Sequence, residues 1–361
     1  MDFSPTEEQQ MLRDLIERFA ADTYPAADRP HYRVPATGFA PGAWSQLAEL
    51  GLLAMAFPEE LGGLGAGPVE LMILGEALGK GVVPEPVLAE VLQAGLLLAR
   101  AGTEEQKDRW LEGVLSGSAH LALAFAEPDS RFELATPATS CADGRLSGTK
   151  TCVMGGSACD AVIVSARGPD GAVGLWLAEL SAPGIARTDY RLLDGQPAME
   201  LTFEGTPATP LAEGLAALET LVVDLRVAIV AEMVGLMQTM FDLTVDYVKV
   251  RKQFGAAIGS FQAIQHRLAD QYMMLEQSRS LLLRAALATP AEREAAGLAA
   301  KAFVARAGVA LGEEAIQLHG GMGVTDELLV GHAHKRLLLL ASLFGDADRE
   351  AARYMALTRA A

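Results

Sequence analysis

Tyr247-Val248-Lys249-Val250-Arg251-Lys252-Gln253-Phe254-Gly255 closes a long helical run and turns at a glycine. A second segment lies further along: Gln317-Leu318-His319-Gly320-Gly321-Met322-Gly323-Val324-Thr325-Asp326-Glu327. In the first, a guanidinium at a helix end is placed to fork onto a phosphate. In the second, glycines let the backbone approach an anion with N–H groups turned toward it. Taken singly, each segment also reads as a helix C-cap with a surface arginine. The order and spacing of the two together carry the information.

Working outward, helical periodicity covers about 214–250, 262–288, 290–316 and 326–357, the last with a break near Gly345. These helices are expected to form a four-helix bundle whose exposed apolar faces need an oligomer partner. Toward the N-terminus, Ser4-Pro5-Thr6-Glu7 reads as a capping box with proline in the first turn. Helices follow near Trp44–Leu53, Val69–Gly79, Pro86–Ala101 and Glu104–Leu115, interrupted by the Pro58–Gly65 loop. Between about Ser118 and Pro210 the signal is strands and turns. Leu121–Phe125, Ala161–Val164 and Val173–Leu177 are short apolar runs, and Ala142-Asp143-Gly144-Arg145-Leu146 reads as a hairpin turn. Helices, then strands, then helices imply an α+β chain. The expected domains are 1–117 (helical), 118–212 (β) and 213–361 (helical bundle).

The 361 residues are 50% hydrophobic and 21% charged, enough for a large core. A net charge of −17 disfavours nucleic acid and anionic membranes as partners. Apolar runs such as Leu337–Leu340 are too short to span a bilayer. Cys141, Cys152 and Cys159 read as reduced thiols of a cytoplasmic protein, and the acidic N-terminus does not resemble a signal peptide. His332 and His334 lie two apart and would face different sides of a helix, so no metal site is expected. No Gly-x-Ser-x-Gly elbow is present.

The two glycine segments, with the PEELGGLG loop, the middle β region and the terminal bundle, resemble the acyl-CoA dehydrogenase family along the whole chain. The resemblance implies the acyl-CoA dehydrogenase fold: an N-terminal helical domain, a middle β-barrel-like domain and a C-terminal four-helix bundle. It implies FAD as cofactor, a CoA thioester as substrate and an electron-transfer flavoprotein as acceptor. By the same resemblance, Arg251, Gln253, Phe254, Gln317, Gly320 and Gly321 hold the adenosine pyrophosphate half of a partner subunit's FAD. In the family a carboxylate removes the α proton of the thioester, flavin N5 takes hydride from the β carbon, and hydrogen bonds polarise the carbonyl.

The chain departs from the family at the reacting centre. The usual Tyr-Glu-Gly segment reads Phe344-Gly345-Asp346, so Gly345 stands at the base position. The alternative base position, just before Arg226, holds Leu225. Asp346 and Asp224 are the candidate displaced bases, with helix capping as the plainer role for Asp346. Arg226 would order the site floor or pair with Asp224. The flavin-facing stretch reads Ala126-Glu127-Pro128-Asp129-Ser130 without the family's threonine and glycines. The strand that backs the flavin reads Lys150-Thr151-Cys152-Val153-Met154-Gly155-Gly156, with Cys152 for tryptophan and Met154 for threonine. A stacking face and a hydrogen-bond donor are lost together. A kept half-site for the partner's FAD and an eroded own site resemble the small, non-catalytic subunits of heteromeric acyl-CoA dehydrogenases in steroid side-chain or dicarboxylyl-CoA degradation. The partner would then be a catalytic acyl-CoA dehydrogenase chain. A self-sufficient homomer with a displaced aspartate and a flavin-free assembly protein are the alternatives.

Overall fold

The computed structural model describes residues 5–25, 28, 35, 37–130, 132–156 and 158–360. The chain divides into two compact units. One joins α1 (Glu7–Thr23) and α3 (Pro68–Lys80) to everything from Arg226 onward; the other holds the remainder, up to Leu225. The long helix α6 (Leu215–Val250) runs through the boundary.

In the helical unit, α6 is followed by a two-stranded hairpin, β9 (Lys252–Gln253) and β10 (Ala256–Ala257). Then come α7 (Gln262–Ala286), α8 (Arg293–His319), α9 (Leu329–Ser342) and α10 (Ala347–Ala360). Helix α8 is the central column and packs on α7, α9 and α10. Its buried face includes Gly297, Ala300, Lys301, Val304, Gly308 and Leu311, at helical spacing. By length and composition, Arg293–Val324 is apolar enough to cross a bilayer, but 61% of the apolar window is buried within the protein. That is the character of a bundle's core helix. The break expected near Gly345 is present: the chain leaves helical geometry between Ser342 and Ala347, separating α9 from α10.

Helix α1 starts two residues later than the sequence suggested. Its N-cap is Thr6, whose side chain accepts from the Gln9 N–H while the Gln9 side chain returns a bond to the Thr6 N–H. Pro5 therefore precedes the cap, and Ser4 lies outside the described residues. Helices α3 and α6 cross with their backbones in contact. A Cβ on Gly79 would lie 2.2 Å from the Glu232 carbonyl oxygen, and one on Gly235 would lie 2.1 Å from that of Glu76.

The second unit carries α2 (Pro41–Glu49), a π-helical turn at Val87–Gly95 continuing into α4 (Leu96–Ala101), and α5 (Glu104–Ser116). Its sheet comprises β1 (Leu121–Ala124), β2 (Ser140–Ala142), β3 (Arg145–Met154), β4 (Ala161–Arg167), β5 (Val173–Glu179), β6 (Ile185–Arg191), β7 (Pro197–Pro207) and β8 (Thr209–Pro210). The order is β6-β7-β3-β2-β4-β5-β8, with β1 parallel to β4. The turn between β2 and β3 places Asp143 and Gly144 at φ 49° and 70°, as a two-residue hairpin loop requires. Strand β3 is irregular: Lys150 pairs with Leu201 and Val153 with Met199, leaving two residues opposite one. Cys152 lies in that bulge at φ 51°.

Gly79→Ala and Gly235→Ala force α3 and α6 apart. Each is expected to cost about 1–3 kcal/mol of unfolding free energy in denaturant titration, whereas Gly42→Ala, with open space at its Cβ, leaves the helices in place.

Candidate functional site

The two glycine segments meet at the end of the helical unit. The Tyr247 ring stacks on His319 with centroids 4.4 Å apart, and its hydroxyl reaches the His319 carbonyl at 3.4 Å. The His319 ring is itself fixed, with Nδ1 2.8 Å from the Ala315 carbonyl one turn back. Beyond Tyr247 the chain leaves α6, and the hairpin folds back so that the Ile258 N–H donates to the Arg251 carbonyl. Phe254 and Gly255 form its tip at φ 53° and 82°. The Phe254 ring is 94% exposed and meets Phe261 edge-on at 6.4 Å. Arg251, Gln253, Gln317, Gly320 and Gly321 are all exposed. Gln253 donates to the Lys252 carbonyl. Among the described residues, no ion pair or hydrogen bond engages the Arg251 guanidinium.

Gly320 adopts φ 62°, ψ −139° as the cap of α8, and its N–H is used on the Gln317 carbonyl. Glycine at 320 is needed by the backbone path, and a Cβ at either 320 or 321 would meet nothing within 4 Å. The result is an open, shallow cradle with a free guanidinium, two amide side chains and an exposed aromatic ring. That donor set suits a pyrophosphate with an attached ring system.

The flavin-facing stretch named from sequence lies in the β unit. Glu127 is buried and accepts from Lys150 Nζ (2.7 Å), the Thr139 N–H (3.0 Å) and the Ala138 N–H (2.6 Å). Burial alone would raise its pKa, but the bonds from Lys150 and the 138–139 backbone outweigh it and hold the carboxyl below its usual range. Lys150 also donates to the Phe125 carbonyl and to Ser165. This pair fixes the inner wall of the sheet and leaves no proton acceptor free. Cys152 is exposed, and its N–H donates to the Tyr190 hydroxyl at 2.8 Å. These residues do not match the family's flavin wall, whereas the Arg251 cradle fits the adenosine end.

At the base position, Gly345 is buried at φ 142°, preceded by Phe344 at φ 60°. Asp346 is exposed, and Oδ1 caps α10 by accepting the Arg349 N–H at 2.9 Å. Asp224 pairs with Arg100 at 2.7 Å. Arg226 therefore does not pair with Asp224; its Nε donates to Glu350 Oε2 at 2.6 Å, and the two side chains are 2% and 1% exposed. Beside them Lys301 Nζ donates to the carbonyls of Ala341 (2.9 Å) and Gly345 (3.1 Å). Burial lowers the Lys301 pKa to about 8, against the pull of Glu350. Glu350 and Lys301 were not singled out from the sequence. The signal was present for Lys301, which interrupts an apolar stripe of α8.

The signature described as "Acyl-CoA dehydrogenase, N-terminal domain" matches residues 6–118, and "Acyl-CoA dehydrogenase, C-terminal domain" matches 212–356. The chain belongs to the acyl-CoA dehydrogenase family, whose cofactor is FAD. It is 32% identical over 346 residues to acyl-CoA dehydrogenase IpdE2 of Mycobacterium tuberculosis, covering 94% of this chain and 95% of that one. Among solved structures it resembles the Tcur3481-Tcur3483 steroid ACAD G363A variant (32% identity, TM-score 0.87, covering 98% of this chain and 99% of that one). It also resembles the ChsE4-ChsE5 complex from Mycobacterium tuberculosis (27% identity, TM-score 0.88, covering 98% and 97%).

The Lys301 pKa sets a pH dependence. A lysine at about 8 when folded and near 10.4 when unfolded binds fewer protons in the native state between those values. Unfolding free energy should therefore rise as pH increases from about 8 to about 10. Lys301→Met should flatten that rise in urea titrations across the range. Separately, Glu350→Ala strands the buried Arg226 and is expected to cost about 3–5 kcal/mol in the same assay.

Proposed function

We propose that this chain is the FAD-completing subunit of a heteromeric acyl-CoA dehydrogenase and that a different chain carries the base. The observation that carries the reading is a contrast within one unit. Arg251 is exposed and unengaged at the cradle, while Gly345 offers no side chain and the adjacent Asp346 is committed to a helix cap; the other candidate, Asp224, is held in an ion pair with Arg100. The names of two structural relatives point the same way, since each joins two chain names, and one is called a steroid ACAD.

On this reading FAD supplies hydride acceptance at the catalytic chain. Arg251 neutralises its pyrophosphate, Phe254 and Gln317 border the adenosine end, and the Tyr247–His319 stack keeps the two segments in register. The substrate is a CoA thioester with a bulky acyl group of steroid origin, desaturated between α and β carbons. An electron-transfer flavoprotein reoxidises the flavin. The three free cysteines fit a reducing, cytoplasmic setting.

Loss of one charge-assisted contact of about 1.5–3 kcal/mol corresponds to about 10- to 150-fold in FAD affinity. Arg251→Ala should therefore weaken FAD retention by that factor in the assembly purified from its host, with the subunits still associated. Unchanged FAD affinity would overturn the cradle assignment. Turnover of acyl-CoA by the purified chain alone would overturn the division of labour.

A further inference from the structure

The room in front of Gly345 is occupied by a carboxylate from the next helix. A Cβ added to Gly345 would lie 2.7 Å from Glu350 Oε1, 3.4 Å from Arg349 Cδ and 3.5 Å from Glu350 Cδ. A carboxylate at the end of a flexible side chain would ordinarily swing aside, but this one is held. Glu350 Oε2 accepts from Arg226 Nε at 2.6 Å, with both residues buried. Moving the carboxylate would leave a buried guanidinium uncompensated.

The cluster is short of partners as it stands. Glu350 Oε1 and Arg226 Nη2 are buried without a hydrogen bond. The other charged groups facing the carboxylate are Arg353, with Nη1 3.9 Å from Oε1, Lys301 across on α8, and Asp346 at the start of α10. Lys301 fixes the loop from the far side by donating to the Gly345 carbonyl itself. Helices α6, α8 and α10 thus converge on one glycine.

We propose that Glu350 bars any side chain from position 345: its ion pair with Arg226 fills the space, so that Gly345 and Glu350 form one coupled unit and the base position of this chain is closed. A glutamate introduced at 345 would put its Cβ against Oε1 and bring a second carboxylate beside the first, a like-charge contact. Activity cannot then be restored by a single substitution. The inference rests on reading position 345 as the unused base position. The coupling itself is a property of this chain and is measurable without that reading.

The test is a thermodynamic cycle on the full chain in its native assembly, using Gly345→Ala, Glu350→Asp and both together. The backbone strain of any side chain at φ 142° is common to both backgrounds and cancels. Glu350→Asp is one methylene shorter, so it draws the oxygen back and keeps a charge for Arg226. Gly345→Ala is expected to raise the unfolding equilibrium constant about tenfold more beside Glu350 than in the Glu350→Asp background. Equal penalties in the two backgrounds would overturn the proposal. So would acyl-CoA turnover by the chain alone that disappears in Glu350→Asp without a change in melting temperature, because Glu350 would then be a base. Native composition separates the two claims: a homo-oligomer with one FAD per chain would sink the helper-subunit reading and leave the measured coupling intact.

Discussion

A guanidinium taken out of water must keep a counter-charge, and Arg226 is such a group. It sits about a third of the way along the longest helix, 2% exposed, where an unpaired cation would cost several kcal/mol. Glu350 meets that requirement from α10, and the loop between α9 and α10 is drawn in to let it. Left-handed Phe344, glycine at 345 and the Lys301 bonds to the Ala341 and Gly345 carbonyls accompany that placement of the carboxylate. The Arg226–Glu350 pair and the Lys301 bonds tie α6, α8 and α10 together beside Gly345.

The opposite end of the same unit obeys a different constraint. There the chain keeps charge and aromatic surface exposed. Arg251 and Phe254 gain nothing for this chain's own stability by standing in water, and a ring 94% exposed is poorly placed as core. The tight hairpin and the Tyr247–His319 stack nevertheless hold them in a defined arrangement. Order without burial is what a surface prepared for a ligand requires. One unit therefore combines a buried ion pair around Gly345 with an exposed, ordered surface at Arg251.

Much of this was legible in the sequence. The long bundle helices announced themselves by period, and the Asp143-Gly144 turn by its chemistry. The pairing of the Arg251 and Gln317 segments was visible from their order. The absence of a base at Gly345 needed only reading. The replacement for it did not show, because Glu350 is separated from Arg226 by 124 positions and no local pattern marks a long-range ion pair. The same limit misplaced the partner of Arg226 at Asp224, two residues away in sequence but turned to Arg100. The start of α1 was misplaced for a local reason. Ser4 and Thr6 are both acceptable caps, each with a box partner three residues on, Glu7 and Gln9, and the structure uses Thr6.

The central claim is that cradle and base belong to different chains. Native mass spectrometry of the assembly, isolated from its own host through a tag on this chain, reads subunit masses and flavin count together. The account predicts a mixed assembly with one FAD for each pair of unlike chains. A homo-oligomer of this chain carrying one FAD per subunit would contradict it.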